Sequence, residues 1–208
     1  MSKMKTGLPA RGICFDFETS GYNPPVRVGG HFTEYAKKHQ GISLGAVVFD
    51  IQTFEALKTF YVEIKFDATK YEWSMGAEKV HGLTREHLEK NGVSQEDAFV
   101  AFVNFIIDNG FTLDEELILM GHNKDFDIDF LDQLAKDATG EETQLKISYR
   151  GINTSDIGLV CFGLVKSDMI FDHIGLPPRK DHNSLEDALY TLQVCSTVKA
   201  IVNSVMKP

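Results

Sequence analysis

Short apolar runs near the N-terminus, followed by helical periodicities, most narrowly restrict what this chain can fold into. Residues 12–18 (GICFDFE), 42–50 (ISLGAVVFD) and 58–66 (KTFYVEIKF) are strand-length and rich in aromatic and β-branched side chains. Beyond them, residues 95–108 place Phe99, Phe102, Val103 and Ile106 at three- and four-residue spacing, as one buried helical face requires. Ser94 suits its N-cap, and Asn109-Gly110 its stop. Residues 117–120 read as a short strand. Residues 124–136 read as a helix with Phe126, Phe130 and Leu134 on one side. Residues 155–171 and 185–205 read as two more helices, the second with Leu185, Ala188, Leu189, Leu192 and Cys195 inward. A three-stranded meander followed by helices alternating with one or two short strands predicts an α/β domain with a mixed central sheet. Between the first two strands, residues 21–41 contain Pro24, Pro25, Gly29 and Gly30. They read as a long surface loop, with a short helix around residues 32–38.

A chain of 208 residues suits one domain, spanning residues 1–208, with one substantial core. No run of about eighteen apolar residues exists, so neither a membrane span nor a membrane partner is expected. Lys3 and Lys5 are not followed by the apolar stretch of a signal peptide, so a cytoplasmic location is expected. Cys14, Cys161 and Cys195 are odd in number, irregularly spaced and set in apolar segments. They read as small hydrophobes, not as disulfides or a zinc site. The net charge of −9 argues against a broad basic groove for nucleic acid. It leaves open a nuclease whose acids hold divalent cations, because the cations bring positive charge to where a phosphate must sit.

Three segments carry candidate chemistry. In FDFETSG, Asp16 and Glu18 flank Phe17 on a strand, so both carboxylates point to one face and Phe17 to the other. Paired like charges cost free energy unless a cation compensates them, although such acids at a strand end can simply be solvated. In GHNKDFDIDFL, Asn123 is placed to cap a helix with Asp127 one turn inside. The loop leaves the carboxyl end of a strand, where open α/β sheets place their sites. The same acids also suit the positive end of a helix dipole. In DHNSLEDALYT, His182 precedes a helix with Asp187 in its first turn, and Ser184-x-x-Asp187 also reads as a capping box. Together, four carboxylates suit hard cations such as Mg²⁺ or Mn²⁺. Two such ions stabilise the attacking and leaving oxygens of phosphodiester hydrolysis, and a histidine can take the proton of the attacking water.

These segments resemble the motifs of the DEDDh, or DnaQ-like, exonucleases of the ribonuclease H-like superfamily. Asp-x-Glu-Thr-Ser-Gly stands at residues 16–21, His-Asn-x-x-Phe-Asp-x-x-Phe-Leu at 122–131, and His-x-x-x-x-Asp at 182–187. Asn183 stands where the tyrosine branch would have its tyrosine, so His182 marks the histidine branch. The resemblance implies a five-stranded mixed sheet flanked by helices. It implies Asp16, Glu18, Asp127 and Asp187 as ligands of two divalent cations and His182 as general base. It also implies that Thr19, Ser20, Asn123, Phe126 and the VHGLT segment at 80–84, through His81, Gly82 and Leu83, contact the terminal nucleotide. Read bare, VHGLT is a helix end with a glycine cap, followed by Thr84 as the next N-cap. The implied activity is 3'-5' exonucleolytic hydrolysis releasing nucleoside monophosphates. Its partner would be a nucleic acid 3' end, single-stranded DNA being favoured and RNA the alternative. An RNA-trimming enzyme, a non-catalytic binding or polymerase accessory module and a related endonuclease are the competing classes. No expected carboxylate is lost, and the tail to Pro208 has no obvious polymerase tether, which favours a free-standing active enzyme. Arg27, Lys37, Lys38 and His39 make the long loop basic, and Arg179 and Lys180 lie close in sequence to His182, as a phosphate contact would require.

Overall fold

The computed structural model describes residues 9–206. The readings of Lys3, Lys5 and the tail at Pro208 therefore lie outside the described residues. Strands β1 (Arg11–Thr19), β2 (Pro25–Val28), β3 (His31–Tyr35), β4 (Gly41–Asp50) and β5 (Ala56–Glu63) come first. Helices α1 (Met75–His81), α2 (Arg85–Asn91) and α3 (Gln95–Asp108) follow. Then come β6 (Leu119–Gly121), α4 (Lys124–Thr139), β7 (Ile152–Asn153), α5 (Thr154–Phe162), α6 (Ser167–His173) and α7 (Ser184–Val205).

The main sheet has five strands in the order β5-β4-β1-β6-β7. β4 is antiparallel to both β1 and β5, whereas β1–β6 and β6–β7 are parallel. This is the expected mixed sheet, flanked by helices. Alternation along β1 sorts its two faces. Ile13, Phe15 and Phe17 pack with Phe102 and Ile106 of α3 and with Phe130 and Leu134 of α4. Cys14 packs on the other face with Ala188, Leu192 and Cys195 of α7. The even-numbered residues Asp16 and Glu18 therefore project on the α7 side.

The approach of α7 depends on one missing side chain. Gly45, opposite Asp16 in the β1–β4 register, lies so close to α7 that an added Cβ would stand 2.1 Å from Leu185 N. Beside it, the hydroxyls of Ser43 and Ser184 meet at 3.0 Å. Glycine at this point lets two backbones touch.

Several expectations are corrected. The long loop contains the antiparallel β2–β3 hairpin instead of a helix over 32–38. Gly29 and Gly30 both take positive φ, at 58° and 85°, which suits a two-residue hairpin turn and stops any helix there. Residues 155–171 do not form one helix. Gly163 turns left-handed at φ 70° and closes α5, its N–H bonding to Leu159 O, before α6 begins. The last expected meander strand lies earlier than read, at Ala56–Glu63. The strand read at 117–120 lies at Leu119–Gly121, while Leu117 makes an isolated bridge to Ile147. Cys14 and Cys195 are buried, but Cys161 is exposed. No helix among the described residues is long and apolar enough to cross a membrane.

Candidate active site

β1 outlasts β6, and the site is built where it does. β6 pairs only with Ile13 and Cys14. Past that point the N–H of Phe17 has no strand to meet on the β6 side, and Asp127 from the first turn of α4 accepts it at 3.0 Å. One backbone bond thus fixes Asp127 against the strand segment that presents Asp16 and Glu18. Asn123 occupies the N-cap position of α4 in a left-handed conformation, but its side chain makes no cap bond, contrary to expectation. Its own N–H is held instead by Asn153 Oδ1 at 2.8 Å.

The third group arrives with α7. The N-cap there is Asn183, whose Oδ1 accepts from Leu185 N and Glu186 N. The capping box read at Ser184 and Asp187 is not formed, because Ser184 is drawn to Ser43 across the sheet. Asp187 is left to face the cluster. Its Oδ2 lies 3.3 Å from His182 Nδ1, and its Oδ1 accepts from Arg179. One potential ligand atom from each of Glu18, His182 and Asp187 lies within 4.8 Å of the others.

Burial and neighbouring acids raise the pKa of Asp16, Glu18 and Asp127. Burial first, then Asp127, Glu18 and Asp187, pushes the Asp16 carboxyl well above the usual range. Burial, with Asp187, pushes Glu18 up to about 7, against relief from His182 and Arg179. Burial raises Asp127 too, in spite of the Phe17 bond. The hydrogen bond to Asp187 raises His182, outweighing burial. Glu18 Oε1 is buried without a hydrogen-bond partner among the described residues. A buried, unpartnered carboxylate oxygen among other acids fits a divalent cation, which supplies the missing charge and bond.

A group whose folded pKa is raised stabilises fully below its unfolded pKa, and that contribution is lost as pH rises through the folded value. For Glu18 this runs from about 4.3, the unfolded value, to about 7. Asp50, Asp67 and Asp168 are shifted downwards, so their contributions fade only on the acid side. In EDTA the Tm is expected to fall between about pH 5 and about pH 7, the window between the unfolded and folded values of Glu18. MgCl₂ should raise it more at the higher pH. A Tm in EDTA that climbs across this window would contradict the mutual repulsion of the cluster.

A cleft of about 440 Å³ opens over Asp16, Phe17 and Asp127, walled by Tyr22, His122, Asn123 and Phe126. Tyr22, which sequence reasoning passed over, stacks on Phe126 with centroids 5.9 Å apart and planes 18° apart. Its only advance signal was its position directly after the first motif. His122 spans Thr154 Oγ1 at 3.2 Å and Val165 O at 3.0 Å, tying α5 and the loop after it to the cleft.

The VHGLT segment abuts the histidine loop, since His182 N donates to Val80 O at 3.0 Å. Gly82 caps α1 at φ 72°, and Thr84 Oγ1 accepts from His87 N, as the bare reading expected. His81 is buried, with Nδ1 accepting from Leu83 N and Nε2 lacking a partner among the described residues. Ser20 has a scaffolding position. It is fully buried, its hydroxyl bonding Glu72 O at 2.8 Å and accepting from Gln40 N at 3.0 Å. Thr19 Oγ1 closes the turn onto Gly21 O. Arg179 does not reach outwards to a phosphate, being turned inwards onto Asp168 and Asp187.

Known proteins resemble this chain in sequence and in fold. The 3'-5' exoribonuclease Rv2179c-like domain matches residues 32–199. The match begins after Asp16 and Glu18, which the first motif supplies. A PolC-type DNA polymerase III of Thermotoga maritima is 28% identical over 183 residues, covering 88% of this chain. The chain spans only 11% of that relative's length. Among solved structures, the nuclease domain of 3'hExo, a DEDDh family member bound to rAMP, superposes with a TM-score of 0.69 at 14% identity. That match covers 92% of both chains. Exonuclease I of E. coli in complex with a dT13 oligonucleotide superposes with a TM-score of 0.72 at 14% identity, over 95% of this chain and 42% of the other. The fold is thus that of the DEDDh exonucleases, as the motifs implied. The chain belongs to the family of Rv2179c-like 3'-5' exoribonuclease domains.

Proposed function

We propose that the chain removes nucleoside monophosphates one at a time from single-stranded 3' ends, with two divalent cations, Mg²⁺ or Mn²⁺, as cofactors. The observation that carries this reading is the convergence of Asp16, Glu18, Asp127 and Asp187 with His182 beside a cleft. Asp16, Glu18, Asp127 and Asp187 would hold the cations. When bound, the cations supply positive charge at the scissile phosphate and acidify water. His182 is the general base. Its Nδ1 faces Asp187 Oδ2, which leaves Nε2 to accept the proton of the attacking water. The Asp187 hydrogen bond favours the imidazolium that results. The Tyr22–Phe126 pair offers an aromatic surface to an unstacked base, and the backbone of Gly82 and the side chain of Leu83 bound the terminal nucleotide.

Single-stranded DNA is the first reading of the substrate, supported by the first motif, the VHGLT segment and the PolC-type relative. RNA is the second, favoured by the description of the matched family as exoribonucleases. A time course on 3'- and 5'-labelled DNA and RNA strands, in Mg²⁺, Mn²⁺ or EDTA and beside Asp16→Ala, tests both. The expected result is a metal-dependent ladder shortening from the 3' end, absent with Asp16→Ala. Internal cuts would indicate an endonuclease. Folded, metal-supplied protein that cleaves neither sugar would favour a binding module.

A further inference from the structure

Among the described ion pairs, Arg179 is the one arginine or lysine that closes directly on the carboxylate cluster, where His182 also meets Asp187. Its side chain is 4% exposed and touches three groups. One guanidinium nitrogen donates to Asp187 Oδ1 and the other to Asp168 Oδ1, while the guanidinium carbon lies 4.9 Å from the centre of the Phe171 ring. Asp168 and Phe171 are three residues apart on α6, so both stand on one helical face. The planar fork is thereby held at both nitrogens and across its face, a geometry that lysine cannot copy. Asp168 is 70% exposed, so its ion pair adds little energy in itself. What it fixes is direction.

The consequence falls on Asp187. With Oδ1 held by Arg179, Oδ2 is the oxygen turned to His182. We propose that Arg179 is a positioning residue: clamped by Asp168 and Phe171, it fixes the orientation of Asp187, and through it the relation of that carboxylate to His182 and to a divalent cation. The inference rests on the metal-dependent reading above. It assigns α6 and the segment before His182 a task in the site.

The test uses the full chain with Mn²⁺ as probe. Arg179→Ala, Arg179→Lys and Asp168→Ala are compared with wild type by calorimetric Mn²⁺ titration. The Mn²⁺ and oligonucleotide dependence of trimming is measured alongside. Groups that orient a ligand are worth about 10–100-fold in metal affinity. Arg179→Ala is therefore expected to weaken Mn²⁺ binding on the order of tenfold or more, Arg179→Lys to recover part of it, and Asp168→Ala to fall between. The KM for oligonucleotide at saturating Mn²⁺ should stay near wild type. Unchanged or tighter Mn²⁺ binding in a folded Arg179→Ala overturns the proposal, as does a selective rise in oligonucleotide KM, which would mark a phosphate contact. Should Arg179→Ala not fold, Asp168→Ala decides, since it loosens the clamp from the surface. Wild type that neither binds Mn²⁺ nor trims would sink the metal-dependent reading and this inference with it. Wild type that does both, beside an indifferent Arg179→Ala, sinks the inference alone.

Discussion

His182→Ala is expected to slow 3'-end trimming on the order of 10²–10⁴-fold, the usual worth of a general base, while the protein stays folded and binds Mn²⁺. The side chain is 31% exposed and leans on Asp187 alone among the described ion pairs, so removing it leaves little void. The loop is anchored by its backbone, through His182 N to Val80 O, and alanine keeps that bond. The four carboxylates remain. The expected loss is therefore confined to kcat. Near-normal turnover would remove His182 from the mechanism. A parallel loss of Mn²⁺ affinity would recast it as a ligand, which its closeness to Glu18 and Asp187 makes a concrete alternative.

Gly45→Ala should be the most damaging alanine substitution among the described glycines. Its Cβ would lie 2.1 Å from Leu185 N, 2.2 Å from Ser184 C and 2.4 Å from Leu185 Cα, all backbone of α7. No rotamer change relieves a clash between two main chains, so α7 must lift from β4. Overpacking costs about 1–3 kcal/mol where side chains yield, and more is expected here. Lifting α7 also withdraws Asp187 from Asp16 and Glu18. The variant should show a Tm several degrees lower and almost no trimming, even at saturating Mn²⁺. A Gly45→Ala protein with wild-type Tm and activity would mean that α7 does not seat as described.

Much of this was legible in the sequence, where chemistry is local. The shared face of Asp16 and Glu18 follows from strand alternation, and β1 bears it out. Ser94 caps α3, accepting from Asp97 N, and Gly82 and Thr84 divide α1 from α2 as the residue types imply. The errors share one cause, a distant partner outweighing a local preference. Ser184 resembles a cap but is claimed by Ser43, 141 residues away, so Asn183 takes the role. Asn123 resembles a cap but is tied to Asn153. β7 is two residues long and exists only because β6 offers an edge. The break at Gly163 and the hairpin at Gly29-Gly30 were visible as glycines, yet only positive φ at each shows which glycine ends an element. Arg179 looked like a free cation near a phosphate site, and only tertiary structure reveals its two acidic partners.

The seating of α7 also bears on when activity can arise. Contacts between β1 and α7 join residues far apart in sequence, Cys14 and Ala188 being separated by 174 positions. Closing so long a loop comes late, because its entropy is lost before any contact rewards it. During synthesis the first two carboxylates emerge long before the histidine and the final aspartate. A nascent chain holding only β1 to α6 lacks His182 and Asp187, so on the reading proposed above it has neither the base nor the last metal-holding carboxylate. Competence as a nuclease is thus conferred at the last stage of folding, by the same helix that completes the core.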